Sequence, residues 1–150
     1  MDISLDCIPC IVQGYTRLLR TGMLPEEVLG RFDARVRDLV LCAVRYHNRA
    51  ALPEDETAAC LFFSRLLRDA DKLDIWRVVV DHYRREPGEG NAAIELGLPD
   101  SPGFSEKVGE DLMRQRIVDI GHVRNFNDFK LLQAGWVFDL NFPPTFHGVR

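Results

Sequence analysis

Apolar residues recur along this chain with the three-to-four-residue spacing of amphipathic helices, and no stretch alternates convincingly between apolar and polar positions. Proline and glycine interrupt that spacing at Pro9, over residues 22–25 and over residues 87–103. The segments between these breaks predict helices over residues 9–20, 25–46, 54–68, 70–85, 106–116 and 127–141. We therefore expect an all-α fold, a helical bundle of about five to six helices.

Residues that favour helix ends support several of these boundaries. Ser105 suits an N-cap position, and Pro143 is expected to stop the last helix. The segments 54–68 and 70–85 are compatible with two helices or with one bent helix, and the pattern leaves both open. Residues 87–104 are predicted to form a loop. A loop of this length is uncommon in a compact domain of this size unless it has a function.

Composition narrows the class of protein. With 150 residues the chain fits one domain. Its net charge is -4 and its arginines are scattered among acidic residues, so it lacks the clustered positive charge that nucleic-acid binding requires. One or two arginines or lysines would still suffice for a small anionic metabolite. No window is apolar enough for a membrane span, and the acidic N-terminus does not resemble a signal peptide. We therefore expect a cytoplasmic protein.

The four cysteines are Cys7, Cys10, Cys42 and Cys60. Cys42 and Cys60 stand in apolar stretches and are interpreted as buried small hydrophobic residues, with no need for a disulfide in a reducing compartment. Cys7 and Cys10 form half of a zinc-site pattern. A structural or incidental role, a metal site completed in a dimer, and a redox pair all stay open for them.

The charged run from Arg68 to Asp74 holds three carboxylates and two cations within seven residues, between two apolar stretches. On a helix, Asp71 lies one turn after Arg68, so a ladder of surface ion pairs is one interpretation. A functional site at the edge of the core is the other, since buried carboxylates need a cation or a metal. His47, at the end of a predicted helix, offers a further metal donor.

Three segments resemble the second half of the metal-dependent phosphohydrolases of the HD superfamily. They are the YHNR segment (residues 43–53, AVRYHNRAALP), the RDADKLD segment (residues 67–76, LRDADKLDIW) and the C-terminal aromatic segment (residues 127–142, with NDFKLL and WVFDLNF). The resemblance covers roughly residues 36–142 and implies an all-α, HD-like domain. The chain departs from that family in two respects: no histidine precedes His47, and the His-Asp dipeptide of the family is missing.

The resemblance implies a role for each matching residue. Asp71 and Lys72 would be catalytic, and Arg68, His47 and Arg49 would bind substrate, while Asp71 and His47 would also hold a divalent metal (Mn²⁺, Fe²⁺ or Mg²⁺). Such a metal activates water for attack on a phosphoester. The implied function is hydrolysis of a nucleotide or another small phosphoester.

The N-terminus resembles a different family. Asp6, Cys7, Pro9 and Cys10 are similar to the opening of the DUF89 metal-dependent phosphatases. One interpretation is a single domain over residues 1–150 in which residues 1–22 form a foreign N-terminal helix. The alternative to an enzyme is a non-catalytic HD-like module that binds a partner or forms a homo-oligomer.

Overall fold

The computed structural model describes residues 29–84 and 96–148 of the chain. Within these two ranges there are α-helices and 3-10 helices but no strand, which confirms the predicted all-α class. The α-helices are α1 (Ala34–Tyr46), α2 (Ala58–Tyr83), α3 (Glu106–Met113), α4 (Phe126–Gly135) and α5 (Pro143–Gly148). Two 3-10 helices span Ile120–His122 and Trp136–Asp139. None of the helices in the described ranges is long and apolar enough to cross a membrane.

Several helices begin or end at other residues than the sequence pattern predicts. The helix predicted over residues 9–20 lies outside the described residues. The helix predicted over residues 25–46 is interrupted, because Leu29 is helical, residues 30–33 are not, and α1 begins at Ala34. The Asp33 side chain caps α1 by accepting a hydrogen bond from the Val36 amide at 2.9 Å. The segments 54–68 and 70–85, predicted to form either two helices or one bent helix, form one continuous helix, α2. Thr57 Oγ1 caps the start of this helix.

The bounds of the helices in the C-terminal half also differ from the predicted bounds. Ser105 precedes α3 as predicted, but α3 ends at Met113 because Gln115 adopts a left-handed conformation with φ of 55°. The last predicted helix is divided into α4 and the 3-10 helix Trp136–Asp139. Pro143 begins α5, since proline is well suited to a first helical turn.

The chain divides into two compact units, of which the first comprises residues 1–71 and 141–150. Its described core is formed by α1, the first half of α2 and Leu29, through the buried side chains of Leu29, Ala43, Val44 and Leu67. Within this cluster, Ala43 and Val44 of α1 pack with Leu67 of α2. The single domain expected over residues 1–150 stays a prediction.

The second unit comprises residues 72–140. Its core is formed where α3 packs against α4, around the fully buried side chain of Val108 together with Val118, Val123 and Leu132. Asn125 starts α4 with a capping box, in which its side chain accepts from the Asp128 amide and the Asp128 side chain accepts from the Asn125 amide.

Cys42 and Cys60 form a disulfide that joins α1 to α2, with a Cα–Cα distance of 5.8 Å. Cys60 is buried as predicted, whereas Cys42 is half-buried. The sequence pattern gives no sign of their pairing, because the two residues lie 18 positions apart on separate helices.

Candidate functional site

The charged run of α2 is more deeply buried than a ladder of ion pairs on a solvated face would be. Arg68, Asp69 and Lys72 expose only 4%, 2% and 8% of their surface, and Asp71 is half-buried. Charged groups are costly to bury unless other polar groups replace the lost water. Contacts with defined partners are therefore expected for each of these side chains.

Arg68 binds the C-terminal end of α1, which carries the YHNR segment. Its Nη1 group donates hydrogen bonds to the carbonyl oxygens of Tyr46 and His47, each at 3.4 Å, and to that of Arg49. Carbonyl groups at the end of a helix have no partner within the helix and carry partial negative charge, so a guanidinium group suits them. One side chain thus joins the YHNR segment to the RDADKLD segment.

Asp69 holds the segment that leads into α5. Its carboxylate accepts hydrogen bonds from the Asn141 amide at 3.0 Å, from Asn141 Nδ2 at 2.9 Å and from the Phe142 amide at 3.0 Å. Thr145 Oγ1 donates a further bond at 2.8 Å. Because the donors come from backbone and side chain alike, this carboxylate joins the RDADKLD segment to the end of the C-terminal aromatic segment.

Lys72 forms a salt bridge with the part of the C-terminal aromatic segment that lies in the second unit. Its Nζ lies 2.7 Å from Oδ2 of Asp139, and the two side chains expose only 10% and 19% of their surface. A buried pair of this kind is costly to break, because removal of either partner leaves an uncompensated charge. The three segments that carry the family resemblance are therefore linked through charged residues of α2.

His47 has one ring nitrogen engaged by the backbone. Its Nδ1 lies 2.6 Å from the Val44 carbonyl oxygen, which can only accept a hydrogen bond. Nδ1 therefore carries the proton, and in the neutral ring Nε2 is left as an acceptor. A histidine that binds a metal usually donates its other nitrogen to a carbonyl or carboxylate in this way.

Arg49 is exposed, and its guanidinium group lies 5.2 Å from the centre of the Tyr46 ring. An arginine stacked on an aromatic ring keeps its planar donors available at the surface. The predicted substrate-binding roles of Arg49, His47 and Arg68 stay predictions.

The predicted metal donors, Asp71 and His47, are of the right chemical type for Mn²⁺, Fe²⁺ or Mg²⁺. In the described ranges, only one group of three or more histidine, cysteine or acidic side chains lies close enough to share an ion, and it consists of Cys42, Glu56 and Cys60. Neither Asp71 nor His47 belongs to that group, and their roles as metal donors stay predictions.

The second unit contains a charged cluster, formed by Asp111, Arg116 and His122, that was not among the predicted site residues. Asp111 is buried, and its carboxylate accepts from His122 Nδ1 at 2.8 Å and from Arg116 Nη2 at 2.7 Å. The hydrogen bond from His122, with the positive charge of Arg116 nearby, holds the pKa of Asp111 below its ordinary value. No sequence signal marks this cluster, because the three residues are spread over two helices and a loop.

Asp128 is fully buried and binds the loop before α3. Its carboxylate accepts from the Ser105 amide and hydroxyl, both at 2.6 Å, and from the Arg124 amide at 2.8 Å. Burial alone raises the pKa of Asp128, but these hydrogen bonds outweigh it and the pKa is lowered. Since all of its partners are structural groups of the loop and the helix start, Asp128 organises the fold of the second unit.

No protein-family model, no curated protein and no solved structure matches this chain.

Proposed function

We propose that this chain is an HD-type metal-dependent phosphohydrolase that acts on a nucleotide or another small phosphoester. The observation that carries the proposal is the linkage of the three family-like segments through α2. Arg68 binds the YHNR segment, while Asp69 and Lys72 each bind the aromatic segment within their own unit. The residues joined by these contacts between the segments lie 19 to 73 positions apart in the sequence.

The arrangement suits a preorganised site. Three buried charged residues surround Asp71 in sequence, and each is held by partners from other parts of the chain. A helix that only needed to pack would bury apolar side chains at lower cost. Rigid support around a carboxylate is what a metal or phosphate site requires.

Asp71 and the Nε2 atom of His47 are the groups that would hold the divalent metal. When bound, such a metal supplies a water molecule of lowered pKa and neutralises charge on the phosphate oxygens. The exposed guanidinium group of Arg49 is placed to bind phosphate, and Arg68 positions the backbone on either side of His47.

A second candidate function is a non-catalytic helical module that binds a partner or self-associates. It is favoured by the aromatic surface of the first unit, where Phe62 and Phe63 expose 48% and 39% of their surface and Phe62 contacts Phe142 edge-on at 5.5 Å. Exposed apolar groups of this size favour association.

Calorimetric titration with Mn²⁺ tests the first proposal, because Mn²⁺ prefers oxygen and nitrogen donors and avoids thiolates. Wild-type protein should bind it, and the Asp71→Ala and His47→Ala variants should bind it at least about tenfold more weakly. Hydrolysis of a panel of nucleotides and bis(p-nitrophenyl) phosphate should fall to background in Asp71→Asn, while far-ultraviolet circular dichroism stays unchanged.

Asp74→Asn is the matched control, since it makes the same charge change three residues further along α2, where the carboxylate pairs with the exposed Arg77. It should retain binding and turnover. Absence of Mn²⁺ binding in the wild type would refute the metal assignment. Sedimentation that shows a stable dimer lost in Phe62→Ser, with no turnover, would favour the second function.

A further inference from the structure

We propose that Cys42, Cys60 and Glu56 form a binding site for Zn²⁺ when the two cysteines are reduced to thiols. This site is separate from the proposed phosphohydrolase site and does not depend on it. Cys60 precedes Asp71 by eleven residues on α2, which corresponds to about 16 Å along the helix axis.

The three donors converge from different elements of the first unit. Cys42 lies on α1, Cys60 lies in the first turn of α2, and Glu56 lies in the connection between these helices. Both Sγ atoms and a carboxylate oxygen of Glu56 are within 4.8 Å of one another. Four ligands at about 2.0 to 2.3 Å from a tetrahedral Zn²⁺ ion lie within roughly 4 Å of each other, so small side-chain rotations would complete the geometry.

Glu56 is held in position by a neighbouring side chain. The Tyr46 hydroxyl donates a hydrogen bond of 2.6 Å to Oε1 of Glu56, and this bond raises the pKa of Tyr46. A carboxylate has several lone pairs, so it can accept this bond and bind a metal at the same time. Tyr46 is itself buried, which makes it the kind of outer partner that orients metal-binding carboxylates.

The cluster is accessible from solvent. A cleft of about 710 Å³ is lined by Cys42, Glu56 and Cys60, with Asp38 and Thr57 among its other walls. An ion could enter through this cleft, and a water molecule there could serve as the fourth ligand. Two thiolates, one carboxylate and water form a donor set that suits Zn²⁺ and leaves one exchangeable position.

The structure contains the disulfide form of the pair. A dithiol reductant such as dithiothreitol would convert the disulfide to two thiols and would itself leave as a cyclic disulfide, so that two electrons pass to the protein. Binding of Zn²⁺ then releases the two thiol protons to solvent, because the ligands are thiolates. Zn²⁺ itself is neither oxidised nor reduced.

The test uses the full chain with Cys7→Ser and Cys10→Ser, which removes the other cysteine pair. After reduction and removal of the reductant under anaerobic conditions, a thiol assay on the folded protein should count two thiols. Competition with a chromogenic chelator should then show one Zn²⁺ bound per chain. Co²⁺ in place of Zn²⁺ should give a thiolate-to-metal charge-transfer band, which reports directly on sulfur ligation.

Variants in this background separate the ligands from their surroundings. Cys42→Ser and Cys60→Ser should each abolish the charge-transfer band or weaken it strongly. Glu56→Gln and Tyr46→Phe leave both sulfurs in place and should each weaken Zn²⁺ binding by about tenfold or more. Glu54→Gln is the matched control, because this exposed acid lies in the same connection, and it should have no effect.

Each alternative result overturns the proposal. If no thiols can be released from the folded protein, the pair is a permanent structural disulfide. If Co²⁺ binds without a charge-transfer band, or if Zn²⁺ affinity is unchanged in Glu56→Gln and Tyr46→Phe, the ion is held elsewhere. The Glu56 and Tyr46 variants keep the test decisive even where a cysteine variant fails to fold.

Discussion

Replacing Asp69 with asparagine should strongly destabilise the first unit, although the two side chains have the same shape. The carboxylate of Asp69 accepts hydrogen bonds from the amides of Asn141 and Phe142, from the Asn141 side chain and from the Thr145 hydroxyl. The new amide group would place two N–H donors against these donors. Because only one oxygen remains, at least one of the existing donors must lose its acceptor.

The expected loss follows from the number of bonds. Hydrogen bonds to a charged group are worth about 1.5 to 3 kcal/mol each, and a buried donor left unpaired costs a similar amount. Loss of one or two such bonds, with weakening of the others, predicts a decrease of about 3 kcal/mol in the free energy of unfolding. That decrease corresponds to an increase of about 100-fold in the population of the open state around residues 141–145.

Urea unfolding followed by far-ultraviolet circular dichroism measures the global effect. Because both tryptophans lie in the second unit, their fluorescence reports that unit and shows whether the two units unfold in separate transitions. Hydrogen exchange at the amides of Asn141 and Phe142 measures the local effect, and both amides should exchange about 100-fold faster in the variant.

Asp74→Asn again serves as the control, because its carboxylate pairs with Arg77, which is 73% exposed, and pairs of exposed charges contribute about 0.2 to 1 kcal/mol. If Asp69→Asn is no more destabilising than Asp74→Asn, and the two amides keep their protection, the anchoring role of Asp69 is refuted.

Two further predictions concern the second unit. The lowered pKa of Asp111 means that its contribution to stability is complete above about pH 5 and is lost as the pH falls below about 4, since the unfolded chain binds the proton more readily. In urea unfolding followed by tryptophan fluorescence, Asp111→Asn should lose less stability than the wild type as the pH falls below about 4. An unchanged pH dependence would contradict the assignment. Asp128, whose pKa is also lowered, remains in both proteins and cancels in the comparison. Gln115→Gly should raise the stability of this unit by about 0.5 to 1 kcal/mol, because residue 115 has φ of 55° and glycine adopts that conformation without a Cβ penalty. A lower urea midpoint in Gln115→Gly would show that the glutamine side chain makes a stabilising contact.

The helical periodicity was sufficient to predict the fold class, the position of α3 after Ser105 and the helical segments that form α2. Such features depend on residues within a few positions of each other, so a single sequence contains the information. The interruption before Asp33 was missed, because an aspartate there is compatible with helix interior as well as with an N-cap until the backbone is known.

The site residues were harder to predict, since their partners are distant in sequence. The charge pattern singled out a segment of α2, but it could not show that Asp69 contacts Asn141, 72 positions away. The pairing of Cys42 with Cys60 and the cluster around Asp111 could not be predicted for the same reason. Each depends on how helices pack, and apolar periodicity indicates only which face is buried.

Helix geometry separates the structural and the proposed catalytic roles within the run from Arg68 to Lys72. Successive residues are rotated by about 100° around a helix axis, so Asp69 and Asp71 lie about 160° apart, on nearly opposite sides of α2. The bonds that hold Asp69 to the start of α5 therefore do not account for Asp71, which is half-buried on the other side. If the phosphohydrolase proposal is right, the two residues should dissociate in experiment. Asp69→Asn should lose stability yet retain Mn²⁺ binding in the folded fraction, and Asp71→Asn should lose Mn²⁺ binding with a smaller loss of stability than Asp69→Asn. A common loss of both properties in both variants would mean that the whole charged run serves packing alone.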